Sequence, residues 1–530
     1  MTESPYHQDE KQTNDRHIRY PTTSIPFVNA SPHVGFAMEM IQADSLARLY
    51  RLQRHKVRFQ AGTDENSLKN VQAAEAAGLS VDVLVRHNAE RFHQLKEALN
   101  LSFDDFLRTS ADARHRPGVE RLWAACAANG DIYRRAYEGL YCTGCEQFYA
   151  ASETAGGCCP EHATMLEKVS EENHFFRLSR YEDALRRVIE AGDLEITPDH
   201  RRNEVLAWID GGLEDFSISR TAARAKGWGI PVPGDPEQVI YVWFDALANY
   251  ITALDYGTDG VAFGQFWRDA ATREHVIGKG ITRFHALYWP AMLLSAGLPL
   301  PSRILVHGYV TVDGRKIGKS AGNAIDPVPL ASALGADALR YFLLRHVRST
   351  EDGDFSHARY VQAYQSELAN QLGNLAHRVL NMIDRYCGGV IPSPPAERTS
   401  APDILDACRQ LPETVQAHAQ GFAFHDALAG IWALIASANK YVVDTRPWSL
   451  ARQAAGDGEE AAAARAELDT CLADLARALC VIAQGLAPLL PSTSAKLLRQ
   501  LGVAHLPGID EEIALTGNRI EAGEVLFPMS

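Results

Sequence analysis

Apolar and polar positions along the first half of the chain predict a parallel α/β sheet. Residues 19–29 read as a buried strand running into a Pro/Asn turn. After Ser31–Gly35, the run from Phe36 to Gln53 places apolar side chains at helical spacing. A short strand follows at 57–62, then turn residues and another helix. Strand, turn and helix in alternation indicate parallel strands joined by crossover helices. From about 130 to 234 the texture changes to cysteines, glycines and short segments, which reads as an insertion. The α/β pattern returns in 239–254, 275–294 and 303–320. Beyond about 360 the periodicity is almost all helical and rich in Ala and Leu, with loops at 388–402 and 454–460. That pattern predicts a separate helical bundle.

Composition sharpens this picture. A chain of 530 residues is long enough for three or four domains. With 46% hydrophobic and 22% charged residues it has the balance of a soluble globular protein. No uninterrupted apolar run reaches the roughly 18 residues of a membrane span. The apolar stretch Leu475 to Leu490 carries Arg477 and Gln484 and reads as amphipathic. The first 18 residues lack the apolar segment of a signal peptide, so a disordered tail and a cytoplasmic location are expected. A net charge of −14 argues against a nucleic-acid partner only if the charge is evenly spread, because binding depends on local basic surface. Four of the nine cysteines fall between Cys142 and Cys159, which suggests metal ligation in a reducing compartment rather than a disulfide framework.

Four constellations carry candidate chemistry. The first is Pro26-x-x-Asn29-x-x-Pro32-His33-x-Gly35. A histidine at a strand-to-helix turn can donate to phosphate, and Gly35 permits close backbone approach; a helix cap would use the same histidine. The second is Lys316-Ile-Gly-Lys319-Ser320, two lysines on a loop able to close on phosphates, or a solvated basic loop. The third is Cys142-x2-Cys145 with Cys159-x2-His162, three thiolates and an imidazole suited to a tetrahedral structural zinc. Cys158 competes with Cys159, and unligated buried thiols are the other reading. The fourth places Asn374 and Arg378 on one helix face, with Trp448 after Pro447 at a helix boundary; capping and packing would explain these equally. Neither a dinucleotide fingerprint G-x-G-x-x-G nor a P-loop occurs.

Taken together, the first two motifs resemble the HIGH and KMSKS signatures of class I aminoacyl-tRNA synthetases. The resemblance runs nearly the whole chain, through Gly62–Glu65, Asp215–Pro233, Tyr241–Tyr250 and Gly318–Pro327, a combination specific to methionyl-tRNA synthetases. It implies a Rossmann-like parallel-sheet catalytic domain with an inserted zinc-knuckle domain, followed by an all-α anticodon-binding bundle. The corresponding segments are a tail (1–18), the catalytic halves (19–129 and 235–325), the insertion (130–234), a stem-contact linker (326–365) and the anticodon domain (366–530). The implied activity is ATP-dependent formation of methionyl adenylate and transfer to the 3′ end of tRNA(Met). His33, Lys316 and Lys319 would be catalytic; Pro26, Asn29, Gly35, Gly278 and Ser320 would join them in binding ATP with Mg2+. Asp64 would hold the methionine ammonium, and Ile25, Trp243, Ala246, Tyr250, Ile281, Phe284 and His285 would surround its side chain. Asn374, Arg378 and Trp448 would read the anticodon, and Cys142, Cys145, Cys159 and His162 would bind Zn2+.

Four positions depart from the family pattern: Phe36 for the last His of HIGH, Asn66 for the His of GTDEHG, Gly280 for the Asp of GKD, and Gly318 for the middle Ser of KMSKS. Phe36 loses a donor and Gly280 a carboxylate. A rebuilt nucleotide site, a tRNA-independent adenylate-forming amide ligase and a non-catalytic tRNA-binding paralogue are the readings this leaves. The chain ends soon after the bundle, so a monomer is expected.

Overall fold

The computed structural model describes residues 18–142, 144, 146–149, 154, 156–160, 164–317, 322–394 and 403–528. The expected polar tail therefore lies outside the described residues, apart from Ile18. Two compact units form. The first comprises Met1–Pro32, Lys56–Lys96 and Ser102–His307; the second comprises His33–His55, Glu97–Leu101 and Gly308–Ser530.

The first unit is built on six parallel strands: β1 (Ile18–Thr23), β2 (Gln60–Thr63), β3 (Asp105–Arg108), β4 (Glu195–Thr197), β5 (Thr272–Gly278) and β6 (Arg303–His307). Their order is β3-β2-β1-β5-β6-β4, with the two-residue strand Lys56–Val57 also on β1. The expected strand 57–62 is thus split, and Phe59 between its halves accepts from the Asp104 amide at 2.8 Å. Strands β1, β5 and β6 are buried along most of their length, as in a sheet covered on both faces. Helix Leu68–Ala77 follows β2 because Ser67 caps it, accepting from the Asn70 amide, and Gly78 ends it at φ +65°. The core gathers Tyr20, Phe244, Trp267, Ile277, Trp289 and Ile304, all essentially inaccessible.

Two antiparallel sheets complete this unit. Strands Ile132–Cys142, Gln147–Tyr149, Glu167–Phe176 and Phe216–Ser217 form one, and Ser219–Thr221, Pro231–Val232 and Asp235–Ile240 the other. The apolar run at 239–240 belongs to this second small sheet, not to the parallel one. The helix Val242–Leu247 begins directly after it.

The second unit is mostly helical. Helix Val34–Leu52 contacts helices Ala336–Arg345 and Asp403–Gln420. Helices Asn374–Cys387, Phe424–Thr445, Pro447–Gln453, Glu459–Leu486 and Pro491–Gln500 continue it around buried Val379, Leu428, Ile431, Leu472 and Leu475. A small sheet joins Val310–Val312, Arg315–Lys316 and Gly353–Phe355. Arg340 is fully buried here. Its Nη1 lies 2.8 Å from Asp44, and its Nε donates to Leu489 O at 2.7 Å. Asp44 also takes the Arg48 guanidinium at 2.7 Å. Among the described residues no helix is long and apolar enough to cross a membrane.

Candidate active site

Three parallel strands of the first unit run directly into candidate residues. β1 ends ahead of Ile25 and Pro26, β2 ends beside Asp64, and β5 ends ahead of Ile281, Phe284 and His285. Segments that follow the carboxyl ends of parallel strands share one edge of the sheet, where open α/β sheets bind ligands. Gly62 has to be small. A Cβ there would sit 2.3 Å from Leu107 O and 3.1 Å from Ile25 Cγ2, so glycine lets the Asp64 turn lie against Ile25.

Asp64 is buried. Its amide donates to Pro26 O at 2.9 Å, and its Oδ1 accepts from the Asn66 amide at 3.3 Å. Burial holds its carboxyl well above the usual carboxylate range, with Asp245 and Glu146 adding repulsion. A cation brought into contact would oppose each of these causes. The Asn66 side chain donates to Asp245 Oδ2 at 2.7 Å. Asp245 Oδ1 pairs with His115 Nε2, and His115 Nδ1 lies 2.8 Å from Thr252 Oγ1. Asn66 thus ties the Asp64 turn to the helix that carries Trp243 and Ala246.

Aromatic rings gather on the neighbouring segments. Trp243 and Phe284 stack with centroids 3.7 Å apart and planes 6° apart, and Phe27 meets Trp243 edge-on at 6.2 Å. Tyr250 Oη lies 2.7 Å from His285 Nε2, and His285 Nδ1 lies 3.0 Å from Ile281 O. A carbonyl only accepts, so Nδ1 carries the ring proton and Nε2 accepts from the tyrosine hydroxyl. Behind them His275 stacks on Tyr250 at 3.9 Å and accepts from Trp289 Nε1 at 3.2 Å. Burial, then His285 and Arg273, push the His275 pKa well below its usual value, so the ring is neutral. The arrangement offers a carboxylate for an ammonium group and polarisable rings for an apolar or thioether side chain.

The remaining candidates stand as follows. Gly278 closes β5, where a Cβ would come within 3.4 Å of the His307 ring, and exposed Gly280 lies between half-buried Lys279 and Ile281 in the turn that follows. Asn29 is half-buried beyond β1. In the second unit His33 caps helix Val34–Leu52, its Nδ1 accepting from the Gly35 amide at 3.2 Å. That bond leaves Nε2 as the ring's donor, and burial lowers the His33 pKa. A Cβ on Gly35 would press on this ring at 3.1 Å. Phe36, in the first helical turn, donates its amide to His33 O at 3.0 Å. The Lys316 backbone pairs with Thr311, while Gly318, Lys319 and Ser320 lie outside the described residues.

Asn374 and Arg378 are exposed on helix Asn374–Cys387, which contacts the helix Pro447–Gln453 bearing exposed Trp448. Arg378 donates to Asn439 Oδ1. Cys142 and Cys159 share one buried cluster with Tyr149 and Leu166. Cys145 and His162 lie outside the described residues. Two buried cysteines in one cluster are of the residue type a thiolate site uses; among the described residues no group of three or more potential ligands suits a metal.

Sequence reading missed the residues behind the site. Asn66 registered as a departure from a pattern, yet its partner Asp245 is 179 positions away. His115 sits in a charged run, Asp112 to Glu120, that reads as a solvated face. Arg220 lies in the Asp215–Pro233 motif without an assigned role. Its buried guanidinium meets Glu146 at 3.0 Å.

This chain is similar to known proteins over nearly its whole length. The sequence model of the family described as tRNA synthetases class I (M) matches residues 19–168 and 162–380. A methionine–tRNA ligase of Mycobacterium tuberculosis is 42% identical over 514 residues, covering 96% of this chain and 96% of that one. Another, from Caldanaerobacter subterraneus subsp. tengcongensis, is 39% identical over 96% of this chain and 78% of its own length. The structure of M. tuberculosis methionyl-tRNA synthetase in complex with methionyl-adenylate superposes with a TM-score of 0.91 at 40% identity, covering 97% of this chain and 100% of that one. Its α/β architecture with a parallel sheet and many helices is the class I synthetase fold. The chain belongs to the methionyl branch of the class I tRNA synthetases.

Proposed function

We propose that this chain is a methionine–tRNA ligase whose amino-acid site is the buried Asp64 facing the Trp243, Phe284, Tyr250 and His285 rings. The observation that carries this reading is the juxtaposition itself: a buried carboxylate joined through Asn66 and Asp245 to the helix that bears Trp243, which stacks on Phe284. Asp64 takes the methionine ammonium, and the thioether lies against the rings, where sulfur–aromatic contacts contribute about 0.3–1.5 kcal/mol. The methionine carboxylate attacks the α-phosphorus of ATP and pyrophosphate leaves. A ribose hydroxyl of the terminal tRNA adenosine then attacks the adenylate carbonyl and AMP leaves. Positioning and charge stabilisation do most of this work. His33 Nε2, Lys316 and Lys319 bind the phosphates, with Pro26, Asn29, Gly35, Gly278 and Ser320 beside the nucleotide. Mg2+ would accompany ATP and supply positive charge to its phosphates. Cys142, Cys145, Cys159 and His162 would hold a structural Zn2+, which supplies rigidity to the 130–234 insertion rather than chemistry.

Methionine-dependent exchange of pyrophosphate into ATP tests the reading directly. It should greatly exceed exchange with leucine or isoleucine. Exchange that ignores methionine would refute it.

The segment 366–530 is read as the anticodon-binding domain of a monomer acting in the cytoplasm. Trp448→Ala should weaken charging of tRNA(Met) by about 1–3 kcal/mol, the worth of one base–aromatic stack. Exchange without tRNA should stay the same. A parallel fall in both reactions would make the indole a packing residue instead.

A further inference from the structure

Glu146 is a fully buried carboxylate in the Cys-bearing insertion, one residue beyond Cys145. Its backbone is left-handed, at φ +53°, a conformation that residues other than glycine adopt rarely and that needs surrounding contacts to persist. Those contacts reach far from the turn. Oε1 accepts from the Lys69 amide at 3.1 Å, in the first turn of the helix that follows Asp64 and Asn66. Oε2 accepts from Arg220 Nη1 at 3.0 Å and from the Tyr141 hydroxyl. The Glu146 carbonyl accepts from the Tyr241 hydroxyl, two residues before Trp243. The Arg220 guanidinium lies over the Tyr141 and Tyr241 rings at 5.4 and 5.0 Å. The Lys69 ammonium lies over Phe27 at 5.1 Å, and Phe27 abuts Trp243.

A two-residue cysteine turn needs none of these partners. They join the segment carrying Asp64 to the segment carrying Trp243, and the joint is one residue of the insertion, its carboxylate holding Lys69 and Arg220 and its backbone carbonyl holding Tyr241. Ionised groups taken out of water are held only by good geometry, so the joint resists displacement. We propose that Glu146 is a positioning residue for methionine recognition, setting the spacing of the Asp64 turn and the Trp243 helix through Lys69, Arg220 and Tyr241. This rests on the reading that Asp64 and Trp243 receive methionine, and it makes the insertion part of the frame of that site.

Full-length Glu146→Gln and Tyr241→Phe, measured in pyrophosphate exchange and by thermal melting, test the proposal. Glu146→Gln keeps an acceptor but withdraws the charge from Arg220. It should raise the methionine KM by roughly tenfold while the ATP KM stays within about twofold. Tyr241→Phe removes one hydroxyl and should raise the methionine KM by about threefold with little change in melting. Lys168→Ala, which breaks the exposed 3.3 Å pair with Glu138 in the same insertion, should change neither constant. A lower melting temperature with an unmoved methionine KM in both variants would make Glu146 a stabilising residue only and overturn the proposal. Where Glu146→Gln does not fold, Tyr241→Phe decides alone. If the unaltered chain shows no methionine-dependent exchange, the parent reading falls and this one with it.

Discussion

Asp64→Ala is expected to lower kcat/KM for methionine in pyrophosphate exchange by a factor of about 10² to 10³. Truncating one partner of a desolvated charge pair costs about 2–5 kcal/mol, and each 1.4 kcal/mol is roughly tenfold. The loss should appear chiefly in the methionine KM, since the ammonium contact exists before and during the reaction. Asp64→Asn separates charge from shape. Burial and neighbouring carboxylates raise the folded-state pKa of Asp64, so its contribution to stability is largest in acid. That contribution is lost as the pH rises through the folded-state value. A neutral asparagine should therefore leave the melting temperature at pH 7 unchanged or higher, while methionine binding collapses. In the unaltered chain kcat/KM for methionine should fall on the acid side at a pH above the ordinary carboxylate range, because only the ionised group attracts an ammonium. That limb should vanish in Asp64→Asn. An acid limb that survives the substitution would assign it to another group.

Arg340→Met should destabilise the second unit by about 3–5 kcal/mol, the usual consequence of breaking a buried ion pair from one side. Asp44 would stay buried with only Arg48 to offset it, and the Leu489, Leu99 and Pro488 carbonyls would each lose a donor. Burial already lowers the Arg340 pKa, with Asp44 acting against it. The measurement is the guanidinium-induced unfolding transition. Arg340→Met combined with Asp44→Asn should be less destabilised than the two single effects add up to, since the second change removes the stranded charge. Strict additivity would show that the pair does not interact energetically.

Those two residues also mark what the sequence can name and where it stops. The family resemblance names Asp64, in Gly62–Glu65, and the rings of Trp243, Tyr250, Phe284 and His285 as candidates; the structure stacks Trp243 on Phe284 and joins Tyr250 to His285. The helix from Phe36 to Gln53 was legible from periodicity alone, to within two residues at its start. Arg340 was not. An arginine in an apolar helix ordinarily points to solvent or lies along it, and nothing local says that an aspartate 296 positions earlier awaits it. Asn66, His115 and Glu146 failed for the same physical reason. Each acts through hydrogen bonds to residues far along the chain, and periodicity carries no information about such partners.

The path of the chain has a consequence for biosynthesis. Helix Val34–Leu52 belongs to the second unit, yet the residues that cover it, in 336–345 and 403–420, are translated about 300 positions later. At roughly 5–20 residues per second, a nascent chain carries this largely apolar helix without its native cover for some 15 to 60 seconds. Folding on the ribosome therefore cannot finish unit by unit from the amino terminus, and the early helix is a natural client for a holding chaperone. A fragment beginning at Gly308 would meet the converse problem. It should be recovered in soluble form only when residues 33–55 are supplied as a separate peptide.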